Sequence, residues 1–379
     1  MVEEVEDAPA GRVQARLGAR ASLSSTQLRS RTGHQPDNLL GVSRLEILSS
    51  TMDDDHEAYI LLLLSDSNLP TGSFVASAGL ESYVTHGFFS TPSSAPPGSP
   101  PPDKMDYTVN FLRDSLSTYA HSALPFVLDA HRAAHDFLRG ESPVQAQDAQ
   151  DEDAAGRAIA RVLELDELYE TMTLNHIARR ASKSQGVALL TLFSKGFSAP
   201  RLSRHLSSPA DAAANDAQAR ATALVDRLKL LVRREEAHGH LPICWGVLTA
   251  ALGLSAGTSY FRRISSMFGH LTYLAQSIHT PCTERSQYLH LFLQARSLLS
   301  SSVRLNTIGP YAAQQLLLHA VRPLVDAEMS RCKDLTTGVL TGSPSLEDED
   351  TIYGPSMTWP LGEILAARHD LQHSRIFNS

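Results

Sequence analysis

Apolar residues return every three or four positions through most of this chain, and strict alternation of apolar with polar residues is almost absent. That period belongs to the α-helix, so the sequence is constrained to an all-α fold. Val109, Leu112, Leu116, Tyr119 and Ala120 make one such face. Phe126, Val127, Ala130, Ala133, Ala134 and Phe137 make another, with Pro125 expected at its first turn. A long helix is expected from Arg157 through Leu168, Tyr169 and His176 to Gly186, continuing as VALLTLFSKGF. Leu224, Val225, Leu228, Leu231 and Val232 restart the period. ICWGVLTAALGL, after Pro242, reads as a helix stopped at Gly253 or Gly257. Further helices are expected over Tyr260 to His279, Ser286 to Leu305, Ala312 to Met329 and Leu361 to Leu371. About ten helices of ordinary length would account for the periodic segments.

Between them lie stretches whose composition opposes folding. Residues 1–55 open acidic and turn Arg- and Ser-rich, and they read as a disordered N-terminal extension. The basic, hydroxyl-rich part has the flavour of a transit peptide, which the acidic start opposes. Insertions are expected near 90–104, 140–156, 199–222 and 341–354, all rich in Pro, Ser, Ala or acidic residues. The rest of 56–379 suits a single helical domain.

The net charge of −8 argues against nucleic acid or an anionic membrane as partner, since both require clustered positive charge. Three widely spaced cysteines, Cys244, Cys282 and Cys332, fit free thiols in a reducing compartment, and the expected location is cytoplasmic. No apolar run approaches the ~20 residues of a membrane-spanning helix.

The block Tyr59–Phe89 reads as helix, tight turn, small-residue helix, stop. Pro70 and Gly72 end the first element, Ser73 is the expected N-cap of the second, and Gly87 its C-cap. Ala76, Ser77, Ala78 and Gly79 would let another backbone approach closely, beside the carboxylate of Glu81. Glu81 is expected to face a partner, because an unpaired buried carboxylate is costly.

Motifs that could carry chemistry are weak. Gly253-Leu254-Ser255-Ala256-Gly257 matches a nucleophile elbow, but a helical run, not a strand, precedes it. His369 and His373 are spaced to share a helix face around Asp370, as in a zinc-dependent hydrolase, though with Asp in place of Glu. His238, His240 and Cys244 offer soft metal ligands but fit capping and packing as well. No P-loop and no dinucleotide fingerprint occurs. The residues favour a protein that works by binding other proteins, with no catalytic residue assigned. A metal-dependent hydrolase at His369/His373 and a generic helical scaffold are the alternatives.

Five ordered motifs resemble the UreF family. They are Leu69-Pro70-x-Gly72-x-Phe74-x-x-Ser77-x-Gly79-Leu80-Glu81 with Gly87-Phe88; Arg179-Arg180-x-Ser182-x-x-Gln185-Gly186; His240-x-Pro242-x-x-x-Gly246; Ser302-x-Arg304-Leu305 with Gly309; and Pro360-x-Gly362 with His369 and Arg375-Ile376-Phe377-x-Ser379. Pro310 departs from the family, which often has glutamine there, as do the insertions. The resemblance implies a non-catalytic urease accessory protein. It implies a bridge between a UreD/UreH-type protein and a UreG-type GTPase, with homodimerisation in the complex and nickel delivery to apo-urease. No cofactor would be bound by the chain itself; nickel would be handled by the complex. The residues proposed for partner binding are Ser77, Gly79, Leu80, Glu81, Arg304, Gly309, His369, Arg375, Phe377 and Ser379, the last few on a tail that orders on binding.

Overall fold

The computed structural model describes residues 56–66, 68–89, 103–139, 151–198, 212–254, 285–340 and 354–379. Helix α1 covers residues 56–64 and α2 covers Leu80–Thr85. There follow α3 (Lys104–Arg139), α4 (Asp151–Met172), α5 (His176–Leu192), α6 (Ala212–Arg233) and α7 (Leu241–Ala251). The series closes with α8 (Arg285–Arg304), α9 (Pro310–Leu316), α10 (Arg322–Cys332) and α11 (Pro360–Ala367). Single π-helical turns extend α5 (Phe193–Phe197) and join α9 to α10 (Leu317–Val321). No strand occurs among the described residues, and the fold is all-α. The extension at 1–55 and the helix expected over Tyr260 to His279 lie outside them.

Two apolar cores flank α3. The first surrounds α7, which is buried from Pro242 to Ala251 because it is apolar on every face. Phe126, Val127 and Ala130 of α3 meet it from one side and Leu189, Leu190 and Phe193 from another. The second core joins Leu112 and Leu116 of α3 to Leu291 and Leu298 of α8, Val325 of α10 and Leu80. Close approach of α3 and α7 needs Gly246. A Cβ there would stand 2.6 Å from the Val127 carbonyl oxygen and 2.8 Å from the His131 nitrogen.

Several sequence expectations are corrected. Pro125 does not start a helix; it lies buried inside the 36 residues of α3. A proline there deprives the carbonyl four residues back of its helical donor. That carbonyl belongs to His121, and the Ser356 N–H donates to it at 3.3 Å. A distant segment therefore satisfies the group that Pro125 orphans, and the helix continues.

The long helix drawn through Met172 and His176 is broken, because the Asn175 side chain accepts from the N–H groups of Ile177 and Ala178 and caps α5. The insertions are shorter than expected, since 151–156 belong to α4 and 212–222 to α6. Helix α11 stops at Ala367, four residues before Leu371. Gly253, at φ +77°, does end α7.

Burial holds His131 at a pKa of about 4, against a raising hydrogen bond to the Leu254 carbonyl, and holds His290 at about 3. Both are neutral when folded and take up protons on unfolding below about pH 6.5. Stability from these groups is thus full above that pH and is lost as pH falls toward 4. Denaturant unfolding should show a fall approaching about 1.4 kcal/mol per pH unit for each histidine. His290→Gln, which keeps a polar atom for the Tyr119 hydroxyl at 2.9 Å, should remove one share of that slope. A profile flat from pH 6.5 to 4.5 would refute the account.

Candidate functional site

The sequence-chosen residues at the two ends of the domain come together. After the turn at Pro70 the chain makes one 3-10 turn, Ser73–Val75, is extended at Ala76, and turns again at Ala78 and Gly79 before α2 begins at Leu80. Ser73 therefore caps no α-helix, which corrects the expected second helix. Gly79 takes φ +84°, and a Cβ on it would sit 3.2 Å from the Ala366 Cβ. The backbone that approaches the small-residue stretch is thus the chain's own α11. Ser77, Gly79, Leu80 and Glu81 are all buried within the protomer.

Residues 376–379 lie along this stretch as a strap. The Asn378 N–H donates to the Val75 carbonyl at 2.9 Å, and the Ser77 N–H donates to the Ser379 main-chain oxygen at 2.5 Å. Glu81 accepts from the backbone N–H groups of Ile376 at 2.5 Å and Phe377 at 3.2 Å. Glu81 was expected to await an outside partner; its partners are these two amides. Its remaining neighbour is His369, with Nδ1 3.8 Å from Oε2 and Nε2 3.2 Å from the Phe377 carbonyl. Phe377 is 2% exposed, its ring beneath the Arg304 guanidinium carbon at 4.2 Å from the centroid. The tail thus packs against its own domain.

Ser297 and Ser301, which no motif marked, join Arg180, Arg304 and Arg375, which the motifs did mark, in completing the strap. Ser297, Ser301 and Arg304, on one face of α8, donate to the carbonyls of Ser73, Ala76 and Phe74. Arg180 donates to both carboxylate oxygens of Asp370 at 2.9 Å and to the Asn378 carbonyl at 2.8 Å. Arg375 adds a bond to Asp370 at 2.6 Å. The Arg180 guanidinium, with help from Arg375 and His176, holds the Asp370 pKa at about 2 against slight burial. The spacing Ser297/Ser301/Arg304 was the available signal, since i, i+4 and i+7 put three hydrogen-bond donors on one face of α8. Gly309 stands apart from the strap as the exposed N-cap of α9.

The hydrolase geometry is absent. His369 lies in a 3-10 turn beyond the end of α11 and is 1% exposed, while His373 is exposed past that turn. The two imidazoles share no helix face, and Asp370 is engaged by arginines. The other histidine pair is structural. His240 bonds Ser182 at 3.1 Å and Glu170 at 2.7 Å, and Cys244 is buried. Burial pushes the Glu170 carboxyl up, but hydrogen bonds from Lys183, His240 and Arg179 outweigh it and hold the group at about 2.

Beside Ser379, the last residue of the strap, lies a cavity of about 150 Å³ walled by residues including Gly79, Tyr119, Tyr169 and Glu363. Large apolar side chains of the segments joined here are exposed. Phe74 is 66% exposed, Ile364 61%, Leu371 77% and Ile376 57%. Arg180 from α5 and Arg304 from α8 bond to the same segments, and Arg375 lies within one of them. Exposed apolar side chains among arginines are the composition of a protein-docking surface. No described helix is long and apolar enough to cross a membrane.

A UreF family model matches residues 106–261 and 273–321. The chain is 40% identical over 339 residues to "Urease accessory protein 6" of Cryptococcus neoformans var. grubii, covering 85% of this chain and 97% of that protein. It is 26% identical to an "Uncharacterized urease accessory protein UreF-like" of Schizosaccharomyces pombe, over 86% and 99% of the two chains. It is 25% identical to "Urease accessory protein F" of Oryza sativa subsp. indica, over 86% of each. With the matched segments spanning more than half of the sequence, the chain belongs to the UreF family.

Proposed function

We propose that this protein is a non-catalytic adaptor in urease maturation, acting in the cytoplasm. It would bridge a UreD/UreH-type accessory protein and a UreG-type GTPase while nickel is inserted into apo-urease. The observation that carries this reading is the strap of residues 369–379. It leaves Leu371 and Ile376 exposed and gathers Arg180, Asp370, Arg375 and Ile376 around one surface hollow. Aromatic and arginine side chains are those that dominate protein interfaces. The names borne by the relatives support the urease context.

The test is a pull-down with both candidate partners, using the full chain and a chain lacking residues 369–379. The full chain is expected to capture the UreD/UreH-type protein, and the truncated one to lose at least tenfold in capture, an effect of about 1.4 kcal/mol or more. Cells without the protein should fail to make nickel-loaded urease. Indifference to both partners, together with normal urease in such cells, would sink the reading. Stoichiometric metal lost on His369→Ala would instead revive a metalloenzyme, and capture only of unrelated proteins would favour a generic scaffold.

A further inference from the structure

Away from the strap, α3 and α10 bring together three side chains 211 or fewer positions apart in sequence: His121, Glu328 and Cys332. One ligand atom from each lies within 4.8 Å of the other two. His121 Nδ1 is 3.7 Å from Cys332 Sγ and 3.9 Å from Glu328 Oε2. We propose that His121, Glu328 and Cys332 form a binding site for a borderline-soft divalent transition-metal ion of the Zn²⁺ or Co²⁺ type, with one coordination position left open.

The donor set is imidazole, carboxylate and thiolate, the combination such ions take and the hard ions Mg²⁺ and Ca²⁺ do not. Donor atoms around a tetrahedral ion at ordinary bond lengths stand about 3.3–3.6 Å apart. The two separations from His121, 3.7 and 3.9 Å, exceed this by a few tenths of an ångström, and all three donors lie within 4.8 Å, within reach of side-chain rotations.

Glu328 supplies the independent observation. The residue is 2% exposed, Arg331 engages its Oε1, and its Oε2 is buried with no hydrogen-bond partner. A carboxylate oxygen so placed carries a desolvation cost that a cation would offset. Cys332 is 3% exposed and Glu328 lies beside it. A thiolate and a carboxylate together would balance the charge of a dication. Burial and Glu328 push the free thiol up to about 12, so metal binding must expel its proton, and a nucleophilic role is opposed.

The competing bond is from His121 Nδ1 to the Ser117 carbonyl at 2.8 Å, one turn back in α3. That carbonyl lies inside the helical ladder, so giving the ring nitrogen to a metal leaves no buried acceptor stranded. The His121 side chain is 22% exposed and opens a route from solvent. This site does not depend on the urease reading, and it departs from the expectation that the chain holds no metal of its own.

The full chain, stripped with a chelator, is titrated with Co²⁺ alone. One equivalent should bind, with sulfur-to-cobalt charge-transfer absorption and visible bands of four-coordinate intensity, and Zn²⁺ should displace it. Cys332→Ser should abolish the charge-transfer band, and Glu328→Gln should weaken binding about tenfold or more. Cys244→Ser and Cys282→Ser should leave both unchanged, with far-ultraviolet circular dichroism confirming that each variant folds. No band in the unsubstituted chain, or a band that survives Cys332→Ser, overturns the site.

Discussion

Glu81→Ala is expected to free residues 376–379 from the domain and to lower stability by about 2–4 kcal/mol. Its carboxylate accepts two backbone N–H groups, and hydrogen bonds to a charged acceptor contribute about 1.5–3 kcal/mol each. Without it the Ile376 and Phe377 amides have no acceptor where they lie. The strap can regain water only by lifting, and lifting exposes Phe377, now 2% accessible. The loss is therefore capped at the free energy that docks the strap. Glu81→Gln keeps one acceptor oxygen and should fall between. Asp370→Asn, at an exposed ion pair, should cost about 1 kcal/mol or less. Hydrogen exchange at the amides of 376–378 reads the result, and unchanged protection in Glu81→Ala would show that something else holds the strap. If that strap docks a partner, capture should fall in the same order, Ala below Gln below wild type.

Gly246→Ala is expected to be more damaging still, at about 3 kcal/mol or more, or roughly a 10 °C drop in melting temperature. The added methyl would lie 2.6 Å from the Val127 carbonyl oxygen, 2.8 Å from the His131 nitrogen and 2.9 Å from the Ala130 Cβ. Two of those atoms are backbone in the middle of α3, so no rotamer change relieves the contact. Gly253→Ala is the control. Nothing lies within 4 Å of its added carbon, and only φ +77° opposes it, a cost of about 1–2 kcal/mol. Thermal melts of the pair separate close packing from backbone strain. Equal losses would refute the packing argument.

The helical period made the fold class legible, because burial of one stripe per helix is written directly in the spacing of Leu112, Leu116 and Ala120. Ends of helices were harder to read. Asn175 is a residue that helix interiors disfavour and N-caps favour, so the break between α4 and α5 carried a signal that the surrounding apolar period masked. Pro125 carried the opposite trap, since its local rule was overridden by the Ser356 N–H, which no local pattern announces. At the strap, the motif residues marked which positions meet but not what they meet. Ser77 pairs with Ser379 and Glu81 with Ile376 and Phe377, a relation spanning 296 positions for Glu81 and Phe377. The His121, Glu328 and Cys332 cluster was hidden for the same reason, as Glu328 and Cys332 share one face of α10 but His121 joins them from α3, 207 and 211 positions away.

Helix α3 is about 54 Å long by its 36 residues, and its two halves belong to different cores. Ala120 and Leu124 face the second core, and Ala123 and Phe126 the first, within two turns of one another. A cut inside α3 would leave each fragment with an apolar face and half a rod to cover it, so fragments divided there should not reassemble into a native pair. Cuts made near 140–150 or 255–284 leave the rod whole. Reconstitution from two separately expressed pieces is therefore a matter of where the scissors fall relative to this one helix, and fluorescent reporters fused to split halves should be placed accordingly.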